Sequence, residues 1–145
     1  MRTLFASWQG WALLSAIFAA LTAIFAKVGV QTIDSDFATF VRTIIILAAL
    51  SLFLMVTGRL EPQPLTGKAL AFLVLSGLAT GASWLCYFRA LSLGQAAEVA
   101  PVEKLSVVLV AVFGVVFLSE QLSLRAWLGV GLITSGVVLI AIKPA

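Results

Sequence analysis

Five apolar runs, each about twenty residues long and parted by short polar breaks, dominate this sequence. They cover about 8–30, 37–57, 68–90, 97–118 and 124–142. A helix of about 20 apolar residues crosses the ~30 Å hydrocarbon core of a bilayer. Inside that core a backbone satisfies its own polar groups only as a helix or a closed barrel. The runs therefore predict an all-α, polytopic membrane protein with five transmembrane helices. Composition agrees: 62% of residues are hydrophobic and 10% charged, against roughly 25% charged in a soluble domain. The mean hydropathy is +1.17. Too little polar surface exists to coat a water-facing globule.

The same composition limits the chemistry. There is no histidine, the commonest general base and metal ligand. The one cysteine, Cys86, lies in the apolar stretch Trp84-Leu85-Cys86-Tyr87-Phe88, so no disulfide framework or CxxC motif exists. It reads as a small hydrophobe. Nine basic residues and a net charge of +3 are spread along the chain, without the clustering of a nucleic-acid footprint. No catalytic residue, metal site, cofactor or nucleic-acid partner is expected.

Local signals mark the ends of the runs. Asp34-Ser35-Asp36 offers an N-cap and negative charge at the start of the second span. Gly58 and Glu61-Pro62-Gln63-Pro64 break the chain before Thr66 and Gly67 open the third. Gly94 is placed to end the third span, and Ser123 to cap the fifth. The first run exceeds the length of a usual signal-peptide core and is expected to be retained. Lys143-Pro144-Ala145 is read as leaving the membrane.

Five spans place the two termini on opposite sides. Arg2, Arg59, Lys68 and Arg125 fall on one side. Arg89 and Lys143 fall on the other, joined by Lys27, Arg42 and Lys104 if those reach outward. The positive-inside bias is thus nearly balanced. Two readings fit: a fixed orientation with weak bias, or dual topology with pairing between inverted copies.

Charged groups inside apolar spans are costly unless they face protein, water or a partner. Lys27 continues the stripe Ser15, Ala19, Ala23 at a spacing of four, a face suited to close packing. It either snorkels or points into the bundle. Arg42 lies about 9 Å into span two, counted from Asp36, and has the same two options. Gly77, Gly81, Trp84 and Phe88 share one face of span three, which turns Trp84 inward, with Tyr87 close behind. Trp8, Trp11 and Trp127 sit at span ends as interfacial anchors. Span four opens with Glu98, Pro101, Glu103 and Lys104, and Pro101 fits best in the first helical turn. Neighbouring Glu103 and Lys104 would point about 100° apart, so one is expected to face a cavity while the other pairs or snorkels. Lys27, Arg42, Arg89, Glu98, Glu103 and Lys104 all fall in one half of the membrane, which reads as a polar vestibule. The candidate solute-binding residues are Lys27, Arg42, Trp84, Tyr87, Glu103 and Lys104. In span five Gly129 and Gly136 overlay on one face beside Gly131 and Ser135, a candidate dimer contact that could equally pack within the chain.

Tyr87-Phe88-Arg89-Ala90-Leu91 through Gly94, followed by Val99-Ala100-Pro101-Val102, resembles the junction of spans three and four in EamA domains. These belong to the drug/metabolite transporter superfamily. Glu120, then Trp127-Leu128-Gly129 and Leu132-Ile133-Thr134-Ser135-Gly136-Val137, is similar to the end of that domain. Ala26-Lys27-Val28-Gly29 and Phe40-Val41-Arg42-Thr43 fit its first two helices. The resemblance implies a single five-helix domain over 1–145, one half of an inverted repeat that usually occurs twice per polypeptide. It implies a secondary transporter of small metabolites, working by alternating access. The partner would be an antiparallel second copy or a related, oppositely oriented subunit. Related small multidrug transporters use a carboxylate in their first helix, and span one here has none. Cations outnumber acids within the spans, which favours an anionic or zwitterionic solute such as an amino acid or organic acid. A bacterial inner membrane is the expected location. A lipid-linked carrier flippase subunit and a non-transporting assembly subunit are the alternatives.

Overall fold

The structure, a computed structural model, describes residues 7–61 and 64–142. Arg2, Pro62, Gln63 and the segment Lys143-Pro144-Ala145 lie outside the described residues. The protein is all-helical, with six helices and no strand among the described residues. Five stretches are long and apolar enough to cross a membrane: Trp8–Gly29, Ser35–Val56, Gly67–Leu93, Ala96–Leu118 and Leu124–Ala141. It is a multi-pass membrane protein. Its contacts divide it into two compact units, up to Leu93 and from Gly94 onward.

The first unit holds α1 (Trp8–Gly29), α2 (Ser35–Val56) and α3 (Gly67–Leu93). Side-chain caps set where each begins. The Ser7 hydroxyl accepts from Gly10 N at 3.4 Å. Asp34 Oδ1 accepts from Asp36 N at 2.9 Å and Phe37 N at 3.1 Å, so the expected cap of span two is made. The Thr66 hydroxyl accepts from Ala69 N at 3.2 Å and starts α3.

The end of α2 needs a glycine. Gly58 has φ +65°. Its N–H donates to Met55 O at 3.2 Å, and Arg59 N donates to Leu54 O at 2.9 Å. This is the Schellman pattern, in which a left-handed residue lets two final carbonyls find donors.

Burial in the first unit is lopsided. Its buried residues are Ala23, Ala26 and Val30, then Ser35, Ala38 and Thr39, then Phe88 and Leu91. They come from the end of α1, the start of α2 and the end of α3, one end of the unit. Small side chains let α1 and α2 each pack on α3 there, and Leu91 is fully enclosed. Thr39 Oγ1 donates to Ser35 O at 2.9 Å, so its buried hydroxyl is satisfied. Farther along, Ser15 and Ala19 of the α1 stripe are exposed, as is Gly77.

The second unit holds α4 (Ala96–Glu103), α5 (Ser106–Leu118) and α6 (Leu124–Ala141). Span four is thus two helices with a break. Pro101 was expected in a first turn, yet α4 already begins at Ala96 and contains it. Proline lacks the N–H that would bond the carbonyl of Ala97, which weakens the helix around it. The ladder then tightens: Leu105 N donates to Val102 O, Val107 N to Lys104 O and Val108 N to Leu105 O, all at three-residue spacing. At its other end α5 closes on Ser119 in the left-handed region, φ 56°. Ser123 caps α6 by accepting from Ala126 N at 3.3 Å, as expected.

Candidate functional site

Each unit carries a charged group at span depth, and each handles its charge differently. In the first unit α2 projects Arg42 toward α3. The Arg42 guanidinium carbon lies 4.3 Å from the Trp84 ring centroid and 5.4 Å from that of Phe88. Trp84 and Phe88 sit four residues apart on α3 and so lie on one face. The Tyr87 and Phe88 rings meet edge-on, with centroids 6.4 Å apart. Cation–π contact of this kind strengthens when the groups are desolvated. Arg42 has no carboxylate partner among the described residues.

Beside this stack runs a groove of about 480 Å³, walled by α1 and α2 and floored by Phe88. Thr22, Ala26 and Gly29 line it from α1, and Ala38, Arg42 and Ile45 from α2. Thr22 and Arg42 are its polar side chains; the other lining groups are apolar. The groove owes its width to Ala26, Gly29 and Ala38, since larger side chains there would fill it.

Lys27 points inward to α3. Its Nζ donates to Leu91 O at 2.6 Å, across 64 positions of sequence. Leu91 lies in the last turn of α3, where carbonyls lack intrahelical donors and a cation is favoured by the helix dipole. This contact ties the buried end of the unit together.

Glu103 and Lys104 were expected to diverge. Instead Lys104 Nζ sits 2.6 Å from Glu103 Oε2. The 100° separation holds only within one continuous helix. Here α4 stops at Glu103 and Lys104 is its C-cap, so the two long side chains fold together at the break. Neither is left to face a cavity alone.

The structure therefore gathers Arg42 and Trp84, with Tyr87 next to them, and adds Phe88. It directs Lys27 to a helix end and pairs Glu103 with Lys104. Phe88 is not among the candidate solute-binding residues of the sequence; its four-residue offset from Trp84 is the signal that could have found it. A Cβ added at Gly77, Gly81, Gly129 or Gly136 would meet nothing within 4 Å.

The EamA-like transporter family model matches residues 6–142. The chain belongs to the EamA family. This EamA chain is also similar to a protein of a Sinorhizobium species named "Uncharacterized transporter in cobO 3'region". The two are 60% identical over 137 residues, which is 94% of this chain and 97% of the relative. No solved structure matches. Family and relative both make this a transporter chain.

Proposed function

We propose that this EamA chain is a secondary transporter of a small anionic or zwitterionic metabolite in the bacterial inner membrane. The observation that carries the reading is Arg42, a guanidinium at span depth that rests on Trp84 and Phe88 and has no acid beside it among the described residues. An intramembrane cation of that kind is a ligand site by default, because a counter-charge lowers its cost. Trp84 and Phe88 hold the guanidinium in place before solute arrives.

Alternating access in this architecture rocks one inverted repeat against another, at a site between repeats. An antiparallel second copy, or a related subunit of opposite orientation, would give this five-helix repeat its inverted counterpart. The open space at Gly77, Gly81, Gly129 and Gly136 supports such pairing, since small residues allow close helix approach.

Uptake of candidate amino acids and organic acids into proteoliposomes tests transport; absence of flux for every anion and zwitterion defeats it. Cross-linking in lipid tests pairing. Replacing Gly129 and Gly136 with Leu should weaken association and leave membrane insertion intact. In a Cys86→Ser background, Arg59→Cys should label from both sides of the membrane if the pair is an antiparallel homodimer. Labelling from one side points to a separate partner subunit.

A further inference from the structure

The groove beside Arg42 is more selective than an anion site alone would be. Its walls are apolar apart from Thr22 and Arg42. The acids nearest in sequence are already engaged. Asp34 accepts from two backbone N–H groups of α2, and Asp36 Oδ1 accepts from the Ser35 hydroxyl at 3.3 Å. No carboxylate lines the groove. The aromatic rings attract the Arg42 cation but give its N–H donors no oxygen acceptor. A carboxylate or sulfonate meets that need, because a guanidinium presents paired N–H groups that match its two oxygens.

We propose that the groove binds an organic monoanion with an apolar body and no ammonium group, its acid on Arg42 and its body along α1 and α2 toward Phe88. This rests on the reading of the first unit as the solute site and narrows the solute class. One cation balances one negative charge, so a second acid would lie unpaired against apolar walls. An ammonium group would be stranded likewise, with a single hydroxyl, Thr22, as side-chain acceptor. The class therefore leaves out zwitterionic amino acids and dicarboxylates. It includes aryl and alkyl monocarboxylates and their sulfonates. The volume of about 480 Å³ leaves room for a ring or a short chain.

The test uses the full chain in phosphatidylcholine nanodiscs, with equilibrium binding of labelled phenylacetate, phenylalanine and phenylmalonate. Phenylacetate should bind saturably, and the other two at least tenfold more weakly. Arg42→Gln should lose phenylacetate binding at least tenfold, and Arg42→Lys should fall between. Gly29 lines the groove and has nothing within 4 Å of an added Cβ. Gly29→Leu should therefore project into the groove from a Cβ that meets no neighbour, weakening phenylacetate severalfold while Arg42 stays in place. Melting temperatures check that each variant is folded.

Equal binding of phenylalanine, or wild-type binding by folded Arg42→Gln, overturns the proposal. So does loss of phenylacetate binding when phosphatidylglycerol replaces part of the lipid, since the groove would then hold a lipid head group. Flux is read separately with benzenesulfonate, whose permanent charge prevents leakage across the bilayer. Binding without flux defeats the transport reading and leaves the ligand class standing; phenylalanine flux that equals benzenesulfonate flux defeats the ligand class and leaves transport standing.

Discussion

The two units treat a cation at span depth in opposite ways. In the second, Lys104 meets Glu103 at 2.6 Å, and the pair carries no net charge. In the first, Arg42 rests on rings 4.3 and 5.4 Å away. An ion pair consumes its own attraction, so it can hold a helix break in shape but offers little to a third charge. A cation–π stack places the guanidinium while its charge remains. The stack suits a ligand site and the ion pair a structural joint. Helix continuity explains the contrast: α2 is unbroken around Arg42, whereas the chain turns at Lys104 and brings neighbouring side chains together.

The largest expected effect breaks the comparison at its center. Arg42→Gln should cut solute uptake at least tenfold, equivalent to about 1.4 kcal/mol or more. A Glu103→Gln, Lys104→Met double variant removes the other charged cluster at no net change in charge. It should keep most of the uptake. If the two results are reversed, the ligand charge belongs to the second unit.

The next effect sharpens the structural half. Glu103→Gln alone strands Lys104 near the break. The pair is about half exposed, so the loss should lie between surface and buried values, about 1–2 kcal/mol. Thermal melts in detergent should show the double variant more stable than this single one. Equal melting of the two would mean the pair contributes nothing to the joint.

Lys27→Met tests whether the first unit also uses a cation structurally. It removes the bond to Leu91 O, which joins α1 to the end of α3. A hydrogen bond from a charged group contributes about 1.5–3 kcal/mol, and the partly buried setting puts the expected loss at the low end of that range. Uptake per folded molecule should fall less than for Arg42→Gln. A fall as deep as that of Arg42→Gln, with unchanged melting, would make Lys27 a solute ligand.

What the sequence revealed follows from how local each cause is. The five spans depend on run length and composition, and the caps at Asp34, Thr66 and Ser123 on residues within three positions. All were readable. The Arg42–Trp84 contact joins α2 to α3, so each residue could be singled out while their meeting could not. The break after Glu103 is not legible because Pro101 is compatible with a first helical turn; α4 instead begins at Ala96, holds Pro101 in its interior and stops at Glu103. The 100° separation expected of Glu103 and Lys104 fails for the same reason, since the helix stops between them. The glycine faces were visible as patterns, but a pattern does not say whether its neighbour lies in the same chain.

The smallest expected effect concerns the far end of span four, where the second unit holds strain rather than charge. Ser119 closes α5 at φ 56°, and Glu120 N donates back to Gly114 O at 3.1 Å. A side chain in the left-handed region costs about 1 kcal/mol relative to glycine. Ser119→Gly should relieve that cost, although glycine also gains freedom in the unfolded chain, so the net stabilisation should be about 0.5 kcal/mol. Gly114 constrains the same cap from below, since its Cβ position lies 2.6 Å from Glu120 Oε2. Gly114→Ala should push that carboxylate aside and leave the backbone bond in place, with little change in melting. A large loss with Gly114→Ala would mean that the carboxylate itself, rather than the Ser119 turn, fixes the end of α5.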